Sequence, residues 1–240
     1  MLSRNEVKYI QSLYHKKNRN NEDVFIAEGA KIVHEILHSD FKIKNIYALK
    51  EWLSQNNNVE NAIEISEDEL KRISNLETPG KVLAVVYKRE LNEIPDLKNI
   101  ITLVLDGIQD PGNLGTIIRT ANWFGVKNII ASNDTADVYN PKVIQASMGA
   151  FTDVNIFYTD LKSFLSVNKI LVCGAVLEGE NISATKNLNE CLVIIGNEGK
   201  GIRAEIFPFI QKKISIPKFG NAESLNAAVA AGIILWKLKE

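Results

Sequence analysis

Apolar positions in the first third of the chain alternate between helical and strand-like spacing. In AKIVHEIL they recur three and four residues apart, which predicts an amphipathic helix. Helices are also predicted near Glu6–Lys17 and over SEDELKRI, where Ser66 and Glu69 form a capping box. The runs VFIAEG, KIKNIYAL, NAIEI and KVLAVVY predict strands between them. This part is therefore predicted to be a small α/β domain with its own core.

The pattern changes from Ile100 onward, where the apolar runs become longer and alternate with helical segments. The predicted strands are ITLVLDG, KNIIAS, VNIFY, KILVCGAV, CLVIIGN and KISIP. Near-continuous apolar strands separated by helices are typical of a parallel sheet covered on both faces. The polar stretch Lys88–Asn99 contains Pro95 and lacks periodicity, which indicates a linker. The predicted division is a domain over 1–90, a linker over 91–99 and a domain over 100–240.

Composition narrows the class of protein. The 240 residues are 45% hydrophobic and 24% charged, as in a globular protein, and the formal net charge is −1. This balance argues against a protein that coats nucleic acid nonspecifically but allows local RNA-binding patches. With no signal-peptide core and no long apolar run, the expected location is the cytoplasm. Cys173 and Cys191 lie in apolar runs and are predicted to be buried thiols. The three histidines lack metal-ligand spacing, so no metal site is predicted.

The segment LVLDGIQDPGNLGTIIRTANWFGV contains the first candidate site. A buried strand runs into the turn Asp110–Gly112, and a helix is predicted to begin near Asn113. Arg119 is predicted to point away from the core, near the strand end where open α/β sheets bind ligands. Spacing alone favours a solvated arginine. The glycines do not form G-x-G-x-x-G and no Walker lysine follows, so a dinucleotide enzyme has weak support.

The segment CLVIIGNEGKGI is a hydrophobic strand that ends in a glycine-rich turn. Gly196, Gly199 and Gly201 allow positive φ or close approach to a ligand. Glu198 is the acid of that turn. Taken alone, the turn is an ordinary connection, because it lacks the serine or threonine of a phosphate-binding loop.

The closing segment, KISIPKFGNAESLNAAVAAGIILWKLKE, contains a short strand and a helix. Pro217 ends the strand, and Ser224 is predicted to cap a helix that starts at Leu225. This helix is apolar nearly all round, so a core helix and a helix shared with a dimer interface both fit. Ser224 and Asn226 are predicted to be buried at its start, where a ligand could supply the partners that buried polar groups need.

The blocks DPGNLGTIIRTANWFG, VIIGNEGKGI and ISIPKFGNAESLNAAVAAG, in this order, resemble the SpoU (TrmH) family of SPOUT RNA methyltransferases. The N-terminal segments KNRNNEDVFIAEGAKIVHE and TPGKVLAVV are similar to the family's small substrate-binding domain, which itself resembles a ribosomal protein. The resemblance implies an α/β fold with a parallel-sheet SPOUT domain, a deep C-terminal trefoil knot and a homodimer. It also implies methyl transfer from S-adenosylmethionine to a ribose 2′-hydroxyl of RNA.

The resemblance further assigns site residues. The catalytic positions are Asn113, Arg119, Glu198, Ser224 and Asn226. The cofactor-binding positions are Leu177, Ile195, Gly196, Asn197, Gly201, Ile216, Pro217, Leu225 and Asn226. For RNA contact the resemblance indicates Lys142, Gln145 and Ser147. The basic cluster HKKNR adds Lys16, Lys17 and Arg19 as candidates, although such a charge run taken alone is usually a solvated helix end. Asn113 and Glu198 would hold Arg119 and the hydroxyl in register, while Arg119 would stabilise the developing alkoxide. Whether Arg119 also accepts the proton stays open.

Several alternatives remain at this point. Ribosomal RNA is favoured as substrate over transfer RNA because of the N-terminal domain. A catalytically silent RNA-binding or ribosome-assembly factor is the main rival, although it would not need all five catalytic positions. Base methylation, as in another SPOUT branch, is a second rival, and a nicotinamide-dependent oxidoreductase is the last.

Overall fold

The computed structural model describes residues 1–57, 59–185 and 188–240. The elements of the N-terminal unit (residues 1–90) are α1 (Arg4–Ser12), α2 (Lys16–Glu22), β1 (Val24–Glu28), α3 (Ala30–Leu37), β2 (Ile43–Ala48), α4 (Lys50–Gln55), β3 (Ala62–Glu64), α5 (Glu67–Ile73) and β4 (Val82–Tyr87). The strands form a mixed sheet in the order β1-β4-β2-β3. The predicted α/β character of this unit is confirmed.

The helix predicted over Glu6–Lys17 is wrong as a single element. A capping box between Ser3 and Glu6 starts α1, but α1 ends at Ser12 and α2 begins at Lys16. Between them His15 takes an extended conformation, and the carbonyls of residues 12–14 accept hydrogen bonds from the Asn18 and Arg19 side chains. Tertiary context therefore overrides the continuous helical pattern.

The elements of the C-terminal unit (residues 100–240) are β5 (Ile101–Asp106), α6 (Pro111–Trp123), β6 (Asn128–Ser132), α7 (Pro141–Ser147), β7 (Asn155–Thr159), α8 (Leu161–Val167), β8 (Val172–Asn181), β9 (Cys191–Gly196), β10 (Lys212–Ser215) and α9 (Ala227–Lys239). Its sheet has the order β10-β8-β9-β5-β6-β7, and each of these pairings is parallel. The predicted parallel sheet is confirmed. Asp106 pairs with Gly196, so the turns that follow β5 and β9 lie side by side.

Two helices begin at residues other than those predicted. Helix α6 starts at Pro111, because the Asp110 side chain accepts a hydrogen bond from the amide of Asn113. Proline suits the first helical position, where no amide hydrogen is needed. Helix α9 starts at Ala227 with Asn226 as its cap, so the prediction that Ser224 caps it is wrong. Both Ser224 and Asn226 are exposed rather than buried in this chain.

The core continues from one unit to the other. The Phe25 ring lies 4.7 Å from the Tyr139 ring and 5.7 Å from the Phe151 ring, measured between centroids. One face of the N-terminal sheet has a separate core that includes Ile26 and Leu83, while the opposite face packs on the C-terminal unit. Each unit thus contributes side chains to a shared apolar layer, which holds the two sheets against each other.

Both cysteines are buried, as predicted. A hydrogen bond with Cys173, and then burial, raises the pKa of Cys191 above its ordinary value. These thiols belong to the core of strands β8 and β9. Within the described ranges, no helix has the length and apolar character to cross a membrane.

Candidate functional site

Side chains from the three sequence segments meet at the carboxyl end of the C-terminal sheet. The Asn113 side chain, in the first turn of α6, donates a hydrogen bond from Nδ2 to Glu198 Oε1 at 2.7 Å. Asn226, the cap of α9, donates from Nδ2 to Asn113 Oδ1 at 2.7 Å. The predicted catalytic residues Asn113, Glu198 and Asn226 are therefore linked by hydrogen bonds. We call this set the amide–carboxylate chain.

The turn after β9 is closed by its own backbone. Asn197 and Gly201 exchange two backbone hydrogen bonds of 3.0 and 2.9 Å. The Asn197 side chain donates to Gly107 O at 2.7 Å and accepts from the amide of Gly199. A Cβ atom at Gly196 would lie 2.3 Å from the carbonyl carbon of Gly201, so only glycine fits there. This turn therefore places Glu198 beside Asn113 with little freedom to move.

The segment 216–225 leads from β10 to α9 and passes along the same edge of the sheet. Among the residues that the structure describes, none makes a backbone–backbone hydrogen bond with this segment. Its N–H and C=O groups are therefore available to water or to a ligand. Apolar side chains accompany them: Ile216 is partly buried, while Leu225 and Leu177 are exposed.

These residues fit S-adenosylmethionine. Free backbone donors and acceptors can bind the polar edges of the adenine, ribose and methionine groups, and apolar side chains can cover the ring faces. The predicted cofactor positions Gly196, Ile216, Pro217 and Leu225 all belong to this edge. Ile195 is buried within β9, so its side chain packs in the core beneath this edge and is not exposed to a ligand.

Arg119 lies apart from the amide–carboxylate chain. It is exposed on α6, six residues after Asn113, which is roughly 9 Å along the helix axis. Thr116 and Trp123 share its face, and the guanidinium makes no ion pair with any acid that the structure describes. Asn113 and Glu198 bond to each other in this chain, and neither bonds to Arg119 among the described contacts.

Sequence reasoning missed an ion pair next to the site. Asp106, at the end of β5, is fully buried and accepts from Arg203 Nε at 2.5 Å and from the Arg203 amide at 2.8 Å. Burial of Arg203 disfavours its charge, but the Asp106 carboxylate outweighs this and raises the pKa of Arg203. The sequence signal for this ion pair was an acid, Asp106, inside the apolar run LVLDG, because a buried carboxylate needs a partner. The charge of Arg203 is therefore paired with that of Asp106 beside the site.

The predicted RNA contacts divide into exposed and buried residues. Lys16, Lys17 and Lys142 are exposed, as contact with a phosphate backbone requires. Arg19 is 1% exposed and pairs with Asp137, so the prediction that it binds RNA is wrong. The remaining two, Ser147 and Gln145, are used inside the protein. Ser147 is fully buried and donates to Ile144 O, and Gln145 donates to Glu28 O.

Comparison with known proteins identifies the class. The model of the SpoU rRNA Methylase family matches residues 100–236, and that of the MRM3-like substrate binding domain matches residues 4–84. The protein is an RNA methyltransferase by class. The chain belongs to the SpoU rRNA Methylase family, which confirms the resemblance carried by the three segments.

Individual relatives cover nearly the whole chain. The 23S rRNA (guanosine(2553)-2'-O)-methyltransferase RlmP of Bacillus subtilis (strain 168) is 31% identical, over 98% of this chain and 96% of that protein. A putative RNA methyltransferase of the TrmH family from Porphyromonas gingivalis superposes with a TM-score of 0.86 at 35% identity, covering 99% and 98% of the two chains. An AdoMet-bound rRNA methyltransferase from Sinorhizobium meliloti superposes with a TM-score of 0.87 at 28% identity, covering 99% and 95%.

Proposed function

We propose that this protein transfers a methyl group from S-adenosylmethionine to a ribose 2′-hydroxyl of ribosomal RNA. The observation that carries this proposal is the amide–carboxylate chain, which joins all three segments at the edge of the sheet where backbone groups are free. The relatives support the substrate class, since RlmP of Bacillus subtilis is a 23S rRNA 2'-O-methyltransferase.

The cofactor supplies a methyl group that is already activated by the positive sulfur, so the protein's task is to bind and orient. Backbone groups of 216–225 and the carbonyls of 198–200 would hold the polar parts, and Ile216, Leu225 and Leu177 would cover the apolar parts. Alignment of two reactants can contribute about 7–11 kcal/mol in favourable cases. The closed turn at Asn197 and Gly201 provides the rigid floor that alignment needs.

The ribose hydroxyl is a poor nucleophile at neutral pH, so its oxygen must be stabilised as it loses a proton. Arg119 is the unpaired cation of α6 in the described part of the chain, and a guanidinium stays charged at any physiological pH. It therefore stabilises the developing alkoxide electrostatically. Asn113 and Glu198 orient the hydroxyl, and Ser224, exposed two residues before Asn226, shapes the floor of the pocket with it.

The N-terminal unit binds the RNA. Its match to a substrate-binding domain and the exposed cations Lys16 and Lys17 support this role. Lys142, exposed at the start of α7, extends the contact onto the C-terminal unit. Because the net charge is −1, the affinity comes from these local cations and the shape of the RNA rather than from overall charge.

The test is methyl transfer with purified components. We expect the protein to move a labelled methyl group onto ribosomal RNA from cells that lack the gene, and nuclease digestion followed by mass spectrometry to give a ribose-methylated nucleoside. A base-methylated product would overturn the ribose assignment. A calorimetric titration with S-adenosylmethionine that shows no binding would instead favour a silent RNA-binding factor.

Asn226 offers a sharp variant because its side chain has two roles. Its Oδ1 caps α9 by accepting from the Ala228 amide, and its Nδ2 donates to Asn113. In Asn226→Asp the cap is kept, since Asp and Asn are equally good caps, but the donation is lost. We expect kcat to fall about tenfold with the melting temperature nearly unchanged.

Asn226→Ala is the matched control for this variant. It removes the cap and the donation together, so both kcat and the melting temperature should fall. The lost cap should lower the free energy of unfolding by about 1 kcal/mol. Equal kcat values for wild type and Asn226→Asp would show that the hydrogen bond to Asn113 has no part in catalysis.

We also propose a homodimer through α6 and α9. Trp123 on α6 is 85% exposed, and Trp236 and Val229 on α9 are 57% and 50% exposed. Large apolar side chains exposed on two helices that pack together mark an interaction surface. In such a dimer, Arg119 of one protomer could complete the site of its partner, which agrees with its separation from Asn113.

Light scattering tests the dimer. Wild type is expected to show the mass of two chains, and Trp236→Glu to show one, because a buried carboxylate at an apolar interface is costly. Val167→Glu is the control, since Val167 is an exposed apolar residue on α8, away from this surface. A monomeric wild type at micromolar concentration would contradict the proposal.

We further propose that the C-terminal part forms the trefoil knot that the family resemblance implies. Strand β10 lies at one edge of the sheet, and the segment 216–225 leads from it to α9, which packs on α6. We likewise propose a substrate-binding domain over 1–90, a linker over 91–99, a methyltransferase domain over 100–240, and a cytoplasmic location.

A further inference from the structure

The loop 133–140, between β6 and α7, touches both the N-terminal unit and the surroundings of the active site. Asp137 Oδ2 lies 2.7 Å from Nη2 of Arg19, which comes from α2. Three residues earlier, Asp134 Oδ1 lies 3.8 Å from Nη1 of Arg203, in the segment that follows the Glu198 turn. One short loop therefore connects the substrate-binding unit with the turn that places Glu198.

The Arg19–Asp137 pair is built into the protein interior. Besides Asp137, the guanidinium of Arg19 donates from Nη1 to Tyr14 O at 2.8 Å and to Leu13 O at 3.2 Å. Asp137 Oδ1 accepts in turn from the amide of Tyr139 at 3.0 Å. A planar guanidinium with several fixed acceptors defines both the distance and the angle between the elements that it joins.

A buried ion pair is a weak source of net stability, because desolvation offsets much of the attraction. The Nε atom of Arg19 is also buried without a partner among the described residues, which adds a cost. What such a pair provides well is one defined arrangement of the parts it connects. This points to positioning rather than to stability as the contribution of Arg19.

The arrangement reaches the catalytic helix through α7. Asn140, three residues after Asp137, caps α7 by accepting from the Lys142 amide at 2.9 Å. Helix α7 packs closely on α6: a Cβ atom at Gly115 would lie 2.5 Å from Ala146 Cβ. Gly115 follows Asn113 by two residues, so a shift of α7 displaces the amide–carboxylate chain.

We propose that Arg19 and Asp137 are positioning residues that hold the RNA-binding unit in a fixed orientation relative to α6. This inference rests on the proposed function. RNA bound by the N-terminal unit then presents one ribose to the methyl donor. Arg19 and Asp137 themselves contact neither RNA nor cofactor. Two further cross-unit contacts support the same orientation: Gln145 Nε2 donates to Glu28 O at 2.9 Å, and Arg89 Nη2 donates to Thr152 O at 2.8 Å.

The main test is Asp137→Asn, which keeps the shape and the Tyr139 contact but removes the charge. We expect kcat to fall about tenfold or more, because a displacement of roughly 1 Å can lower a rate by about 10²-fold. The Kd for S-adenosylmethionine and the KM for RNA should stay near their wild-type values, since each unit still binds its own ligand. If Asp137 were purely structural, Asp137→Asn would lower the melting temperature without lowering kcat at a constant KM for RNA.

Glu69→Ala is the matched control. Glu69 belongs to the capping box of α5, and its side chain accepts from the amides of Ser66 and Leu2, which belong to the same unit and to none of the cross-unit contacts above. This variant should lower the melting temperature while leaving kcat unchanged. An equal loss of kcat in Glu69→Ala, or an unchanged kcat in Asp137→Asn, would overturn the proposal.

Gln145→Ala serves if Asp137→Asn does not fold. It removes another cross-unit hydrogen bond without leaving a buried charge, and a kcat loss at constant RNA KM is expected. An unchanged kcat here would also count as a refutation. Failure of the proposed function looks different, because wild type itself would then show no methyl transfer to ribosomal RNA.

Discussion

Arg119→Ala is expected to abolish most methyl transfer while the protein stays folded. Arg119 is exposed on α6 and supports neither the core nor another side chain in the described contacts, so its loss should not affect stability. Removal of one group that stabilises a developing oxyanion typically lowers kcat by about 10²–10³-fold. The measurement is the single-turnover rate of methyl transfer to ribosomal RNA.

The control for this variant is Thr116→Ala, one turn earlier on the same exposed face of α6. Its rate, its melting temperature and its affinity for S-adenosylmethionine should match those of wild type. Arg119→Lys keeps the positive charge but not the planar guanidinium. Its rate should therefore lie between those of wild type and Arg119→Ala. Unchanged turnover in Arg119→Ala would remove Arg119 from the mechanism.

Gly196→Ala is expected to destroy the cofactor site. The added Cβ would lie 2.3 Å from Gly201 C and 2.4 Å from Ile202 N, both backbone atoms that no side-chain rotation can relieve. The turn must therefore open, which separates Glu198 from Asn113. Overpacking of this kind costs about 1–3 kcal/mol, and we expect the Kd for S-adenosylmethionine to rise by about tenfold or more.

Gly199→Ala, three residues further on in the same turn, is the matched control. A Cβ atom there meets only Asn197 Oδ1, at 3.8 Å, which is ordinary contact. Titration calorimetry should give a nearly wild-type Kd for this variant. If Gly196→Ala also binds with wild-type affinity, the turn is not the part of the chain that holds the cofactor.

Sequence patterns predicted the elements because the forces that form them are local. The capping box of Ser66 and Glu69 starts α5, and the apolar runs of the C-terminal unit became strands of a parallel sheet. The three blocks of residues, in their order along the chain, were distinctive enough to indicate the family, since each combines a strand end with a particular turn. Local pattern failed after Ser12, where the helix that periodicity alone would continue ends and side chains of α2 bind the backbone carbonyls of residues 12–14.

What the sequence by itself determined was therefore the class of fold, the family and a set of candidate site residues. Only the tertiary structure decided which of these candidates are bonded to one another. Asn113 and Glu198 are 85 residues apart and Asn226 is 113 residues from Asn113, so no local pattern could show their hydrogen bonds. Arg19 belongs to the same basic run as Lys16 and Lys17, yet its charge is buried against Asp137, 118 residues away. Such pairings depend on how the sheets pack, because burial and ion pairing are properties of a position in space.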